Sequence, residues 1–407
     1  MILKPLTSCS VCNNLELIEL WDLPKYPFTE TFGAFTPSYP TVDQLLMWCS
    51  SCNHVQLSNL VDSQHLYNLE NYALRTLSTP KIEKEISFLN SFIFQSIVKL
   101  DLNPQELHAF EFGGNNLGLA KLLEGKFASV SVCDPIAPNL ETASLNSFSM
   151  TIEDFVRQFS NTYRADVVIA RHTLEHVHHP LEVLNSLQQI ANNGTLNIFI
   201  ECPSLEQIIF RFRWDTVTHQ HIHYFSIRSM VELFKNVGYR LVDYKLNSEG
   251  SNGGSVIYHF TNDNTVIESL DGKGSANIEE FPLSFSYDQM RFSLNTFKKQ
   301  SQLIQDYFSI KPLRGRDFCF GASLLLPTLN YHLNGLVEYI GLVLDDDKDK
   351  SGIGYKNLHV DVVSPDSLNF KHDRFLITSL ENSGAIMKSL MNRSLPNVFC
   401  ILPITAG

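Results

Sequence analysis

Apolar residues recur along this chain in two alternating patterns. Between Lys81 and Leu100, the residues Ile82, Ile86, Leu89, Phe92, Ile93 and Ile97 stand at three- and four-residue steps, the spacing of one helix face. The pattern then shortens. LHAFEFG (107–113) is a compact apolar run closing on glycine, and LGLAKLLEG (117–125) returns to helical spacing. FASVSVCDP (127–135) and ADVVIA (165–170) read as two further strands, HPLEVLNSLQQIA (179–191) as a helix and TLNIFIECP (195–203) as another strand. Strands alternating with helices predict an α/β domain around a mostly parallel sheet. A helix near Ile227–Val237 and strands near Tyr239–Leu246 and Ser255–Phe260 would complete it.

Asn262–Gly274 is rich in turn residues and marks a boundary, after which Ser286–Phe308 reads as a connecting helix. Strand-like runs resume at DFCFGA (317–322) and VEYIGLVLD (337–345), predicting a second, smaller Rossmann-like α/β unit. The N-terminal block, Pro-rich from Pro24 to Pro40, looks too irregular to fold without a staple. The expected organisation is a small module over 1–75, a central domain over 76–262, a helical linker over 263–310 and a C-terminal unit over 311–407.

Composition narrows the function classes. With 407 residues, 44% of them hydrophobic and 18% charged, the chain can bury several cores. A net charge of -12 argues against a broad nucleic-acid footprint. No run of 18 apolar residues occurs, and the start MILKPLTSCS lacks the apolar centre of a signal peptide, so the expectation is a cytoplasmic protein without a membrane segment. A monomer is compatible with this reading.

Four of the eight cysteines form two C-x-x-C pairs, Cys9 with Cys12 and Cys49 with Cys52. Two such knuckles supply the four thiolates that structural zinc prefers and leave no open coordination position, so the metal should organise structure only. His54 reads as an ordinary surface residue or a neighbour of the site, outside the ligand set. Cys133, Cys202, Cys319 and Cys400 are scattered and read as reduced thiols.

Candidate chemistry begins at AFEFGGNNLG, where Glu111 ends a strand and Gly113 and Gly114 open a loop into a helix. Such a loop brings backbone N–H groups close to a ligand. Asp134 ends the next strand, where a carboxylate can accept from ribose hydroxyls. The G-x-G-x-x-G spacing is missing, so an adenosine-type cofactor fits better than a dinucleotide; plain turn residues are the alternative.

THQHIHYF places His219, His221 and His223 two residues apart, all facing one way if the segment is extended. A metal site is disfavoured, because no carboxylate accompanies them in the sequence. His176 follows the strand near Val167–Ala170, on the side where ligands bind, or else merely packs; His178 and His179 read as exposed loop residues.

The cysteine pairs, EFGGNNLG, IARHTLEHV (169–177), IECPSL (200–205), DTVTHQHIHYFS (215–226), NGGS (252–255), FCFGASLLLPTLN (318–330) and GLVLDDDKDKSGIGYKNLHVDVVSP (341–365) together resemble the sugar-nucleotide C-methyltransferases. These enzymes add a methyl group to carbon 3 of a 4-keto-6-deoxy sugar nucleotide. The resemblance implies a class I methyltransferase central domain between a zinc module and a Rossmann-like C-terminal domain, S-adenosylmethionine as cofactor, and a nucleotide-sugar substrate. By that resemblance Glu111, Gly113, Asn115, Asp134, Ala170, Arg171 and His172 line the cofactor pocket. His221 is then the acid/base, with His219 and Gln220 positioning it, Tyr72 facing substrate and His176 beside them.

The chain departs from the family in four places. The family loop resembles E-I-G-x-N-D-G, whereas Asn116 and Leu117 stand here for its aspartate and last glycine, with Gly118 one step later. Thr218 and Gln220 replace a tyrosine and a glutamate, and Ile257 stands where an arginine often follows the G-G-S element. An oxygen or nitrogen acceptor needs no proton removed from carbon and tolerates Gln220, so O- or N-methylation is the alternative. A binding protein that has lost catalysis, and a nicotinamide enzyme built on the Gly321–Ala322 turn, complete the range.

Overall fold

The computed structural model describes residues 3, 5–66, 80–271, 285–310, 317–368, 373–393 and 399–401. Its strands are β1 (Leu17–Pro27), β2 (Thr41–Cys49), β3 (Val55–Leu57), β4 (His108–Phe112), β5 (Ser129–Cys133), β6 (Leu140–Glu141), β7 (Leu145–Phe148), β8 (Val167–Arg171), β9 (Asn197–Pro203), β10 (His223–Tyr224), β11 (Arg240–Asn247), β12 (Ser255–Thr261), β13 (Asp317–Phe320), β14 (Leu342–Leu344), β15 (Asp361–Val363), β16 (Arg374–Ile377) and β17 (Phe399–Ile401).

The central sheet has the order β11-β12-β9-β8-β4-β5-β7-β6. Strands β7, β5, β4, β8 and β9 run parallel, while β12 is antiparallel to both β9 and β11. A parallel set with a reversed strand next to its last member is the class I methyltransferase arrangement that the resemblance implies; the two-residue β6 adds an antiparallel pairing to β7 at the other edge. The sheet reverses its winding at β4, so the loops after β4, β5 and β8 open on one crevice at their carboxyl ends. The helix Pro80–Lys99 covers one face through Ile86, Leu89, Phe92, Ile93 and Ile97, which share a core with Ala109, Val130, Val167 and Phe199.

The N-terminal block is more regular than its proline content suggests. β1 and β2 form an antiparallel pair of eleven and nine residues. The reason is period-two burial: Val42, Gln44, Leu46 and Trp48 alternate inward along β2. This sheet, ordered β1-β2-β3-β10, takes its last strand from the histidine-rich segment far along the chain.

Two other expectations change. VEYIGLVLD is not one strand but a short helix, Leu336–Ile340, then β14, because Gly341 takes φ +78° and ends the helix in the left-handed region. Within the turn-rich stretch, Asn264–Asp271 forms a helix. The C-terminal sheet is parallel throughout, in the order β15-β14-β13-β16-β17.

The three sheets are tied together. Gly33 N donates to Gly354 O at 2.9 Å and Lys356 N to Thr31 O at 2.6 Å, joining the N-terminal segment to the C-terminal unit. Glu381 of the C-terminal unit accepts from Lys81 at 2.7 Å and from Arg213 at 2.9 Å. A cavity lies among them.

Candidate active site and zinc centre

The loop after β4 is shaped by tight backbone packing. Gly113 has φ +76°, and a Cβ there would lie 2.1 Å from Thr173 Oγ1; at Gly114 it would lie 2.4 Å from Val132 Cγ1. Both positions therefore need glycine. Leu117, at the family's glycine position, keeps a left-handed backbone with φ +64°, and its side chain is buried beneath the helix Gly118–Leu123. The left-handed turn survives the loss of its glycine because burial of the leucine offsets strain of about 1–2 kcal/mol.

Asp134 accepts from Asn115 N at 3.0 Å and Ile136 N at 2.9 Å, which holds its carboxylate beside the loop. Burial raises its pKa. Glu111 is pushed up to about 7, chiefly by burial and further by Asp134, against the attraction of Arg171. Its Oε2 and the Asn115 Oδ1 are buried without a hydrogen-bond partner. Two orphaned acceptors over a glycine cradle suit a ligand carrying hydroxyl and ammonium donors.

Arg171 leaves the end of β8 and is held by Glu85 at 2.6 Å and Glu201 at 3.1 Å. His172, at φ +48°, turns the chain and places Nδ1 3.3 Å from Glu175 Oε1. Arg171 and His172 line the cavity, as do Glu111, Gly113, Asn115 and Asp134. Ala170 does not; it is buried within the core. Tyr72 lies outside the described residues.

The three histidines do not face one way, because the chain bends at His219 and Gln220 before β10 begins. His219 is locked between Gln44 Nε2 at 2.9 Å and Tyr26 O at 3.0 Å, and burial pushes its pKa down to about 4. His223 bridges His54 at 3.1 Å and Val177 O at 2.9 Å. Only His221 reaches the cavity, with Gln220, Thr218 and His176. His176 donates from Nδ1 to Gln220 O at 2.8 Å and meets the His221 ring edge-on at 4.9 Å. The carboxylate missing from the linear motif is Glu175: its oxygen and one nitrogen from each of His176 and His221 lie within 4.8 Å of one another. His178 is half-buried against the cavity rather than exposed.

The cavity measures about 1000 Å³ and is lined by the Gly113–Asn116 loop, by His221, and by Ser323, Lys350 and Ser379 of the C-terminal unit. Sequence reading missed Arg213 and Asp215, paired at 2.8 Å, and Glu381, which accepts from Arg213. Asp215 heads the quoted motif, yet nothing in the linear sequence links it to Glu381. Ile257 is buried, and the arginine against the glycine turn is Arg213, whose Cγ would sit 3.1 Å from a Cβ on Gly253.

Cys9, Cys12, Cys49 and Cys52 converge, with sulfurs 3.6 Å apart for Cys9–Cys52 and 3.5 Å for Cys12–Cys49, the edge lengths of a tetrahedron around one ion. The knuckle is anchored by Asn236 Nδ2 donating to Val11 O at 3.0 Å. His54 is fully buried, not at the surface, and turns its ring away to His223.

Family models agree with this geometry. Residues 87–244 match a family described as "Methyltransferase domain", and residues 9–67 one described as "Putative zinc binding domain". The C-methyltransferase NovU of Streptomyces niveus is 32% identical over 93 residues, 23% of this chain and 21% of that protein, so the match spans about a fifth of the relative's length. Solved structures with partial likeness include magnesium protoporphyrin IX methyltransferase from Synechocystis PCC 6803 with bound SAH, at 12% identity, 50% of this chain, 90% of that one and a TM-score of 0.34. Another is the N-methyltransferase NodS from Bradyrhizobium japonicum WM9, at 12% identity, 46% and 98% coverage and a TM-score of 0.32. No helix among the described residues is long and apolar enough to cross a membrane. The chain thus carries a methyltransferase domain over residues 87–244, preceded over residues 9–67 by a segment that matches the zinc-binding family and holds the four converging cysteines.

Proposed function

We propose that the chain transfers a methyl group from S-adenosylmethionine to carbon 3 of a nucleotide-linked 4-keto deoxy sugar. The carrying observation is one continuous cavity lined by the glycine cradle and Asp134, by His176 and His221, and by residues of the C-terminal unit. Glu111 and Asp134 supply acceptors for the cofactor's ammonium and ribose groups. The cofactor, when bound, supplies an electrophilic methyl on sulfur.

The chain's own residues handle the proton. A carbon beside a ketone is acidic, and His221 takes its proton while the carbonyl becomes an enolate. Gln220 Oε1 already accepts from Thr29 Oγ1 at 2.7 Å, so its amide N–H is the group left to donate to that oxygen. His219 has both ring nitrogens engaged and serves the scaffold. The domain division over 1–75, 76–262, 263–310 and 311–407 belongs to the same proposal, with the C-terminal unit closing over the nucleotide.

The test is incubation with a 4-keto sugar nucleotide in deuterated buffer. The parent should place deuterium at carbon 3 without cofactor and a methyl group there with it. His221→Ala should lose both while binding S-adenosylmethionine within about twofold of the parent. Persistent exchange in that variant would move the base elsewhere. Gln220 favours a second reading, methylation at oxygen or nitrogen, because an amide cannot serve as a carboxylate base; methyl transfer without exchange at carbon would select it.

A further inference from the structure

We infer that Glu175 is the positioning residue of the acid–base site, a buried carboxylate behind His176 and His221 that supplies the negative charge the amide of Gln220 cannot. This rests on the reading of His221 as the base. Glu175 lies in the turn Leu174–His176 that follows β8, and no part of it reaches solvent. Isolated carboxylates are not tolerated in such surroundings; they are ionised only where opposite charge is near.

The surrounding backbone fixes its place. Ile222 N donates to Glu175 O at 2.9 Å, His176 Nδ1 to Gln220 O at 2.8 Å and His223 Nε2 to Val177 O at 2.9 Å. Three successive residues, Glu175, His176 and Val177, are thus laced to the segment 220–223. One oxygen receives His172 Nδ1 at 3.3 Å. The other, Oε2, is buried with no hydrogen-bond partner, although it sits in a cluster whose two other members are the cavity histidines. An orphaned carboxylate oxygen there is accounted for by imidazolium formation: when His221 or His176 takes a proton from the acceptor, positive charge appears within a few ångströms of it.

Charge bookkeeping supports the same direction. Burial alone would raise Glu175, yet it is held down at about 2 by His172, His176 and His221. Reciprocity requires that the carboxylate favour the protonated rings. The other ionisable groups packed round the cluster are His172, Arg171, Glu201, Cys202, His223 and Tyr224. Arg171 is shared by Glu85 and Glu201, the thiol and the phenol are neutral near pH 7, His223 is kept neutral by burial, and His172 shares the Glu175 carboxylate, which is the acid grouped with both cavity rings.

The experiment is an NMR titration of the His176 and His221 rings in full-length, zinc-loaded parent and in Glu175→Gln. An opposite charge at this range moves a titration by about one to three pH units. Replacing it should lower at least one of the two ring titrations by about one unit, while S-adenosylmethionine affinity stays within twofold, showing that the fold is intact. The acidic limb of the kcat/KM profile should follow the ring. Adding Gln220→Glu to Glu175→Gln should restore most of the lost rate. Unmoved ring titrations in a folded variant would overturn the inference. If Glu175→Gln does not fold, Glu175→Asp serves instead, with a smaller downward shift expected and no shift overturning it. Loss of all exchange at carbon in the parent would sink the proposed function while the ring titrations still decide this point.

Discussion

Glu111→Gln gives a test whose sign reverses between two measurements. Glu111 stands one residue before the end of β4 with only 3% of its surface exposed, and burial lifts its pKa from 4.5 to about 7. Because the folded value lies above the unfolded one, its contribution is complete below pH 4.5, where both states hold the proton. Between pH 4.5 and 7 the unfolded chain has lost the proton and the folded chain has not, so stability falls as pH rises, and it levels off above 7. A change of that size corresponds to roughly 3 kcal/mol. A neutral amide at this position would carry no such dependence. Glu111→Gln should therefore match the parent near pH 4.5 and exceed it by up to about 3 kcal/mol at pH 8, read as the parent-to-variant difference in urea unfolding of the cofactor-free protein. Binding should show the opposite preference. The cationic cofactor favours the ionised carboxylate, so the parent's affinity should rise toward pH 7 and each binding event should release a fraction of a proton, visible as a buffer-dependent enthalpy in calorimetry. Glu111→Gln should bind more weakly and release none. A stability difference independent of pH, or identical proton release in both proteins, would refute the account of Glu111 as a buried acid waiting for a cation.

Three further outcomes are expected. Purified protein should contain about one zinc per chain, and Cys49→Ser should lose it together with several kcal/mol of stability, since the metal closes a site shared by two distant knuckles; full zinc content in that variant would exclude the four-cysteine site. Gly114→Ala should cost about 1–3 kcal/mol and weaken cofactor binding, because its Cβ meets Val132 at 2.4 Å, and unchanged thermal unfolding would show that the loop yields freely. His219→Ala should lower stability by about 1–3 kcal/mol through the orphaned Gln44 and Tyr26 groups, yet keep the deuterium exchange that His221→Ala loses; equal loss of exchange in both variants would return His219 to the chemistry.

What the sequence determined by itself were the features carried by local spacing. The helix over Pro80–Lys99, the strands β4, β5, β8 and β9, the glycine cradle with Asp134 one strand on, and the paired cysteines were all legible, because periodicity and ligand spacing act within a few residues. β2 could have been read from its alternation, but proline content on either side masked it. The histidine segment was another matter. Equal spacing suggested three equivalent rings, and only the bend at His219 and the pairing of β10 with β3 sent His219 and His223 into the scaffold and His221 into the cavity. Glu175 stood in plain view beside His176, yet its partnership with His221 depends on two segments meeting across the crevice. Arg213, Asp215 and Glu381 come together for the same reason. Hydrogen bonds and charge pairs act over a few ångströms whatever the distance along the chain, so the sequence could name the parts of the site while tertiary packing decided which of them face the acceptor.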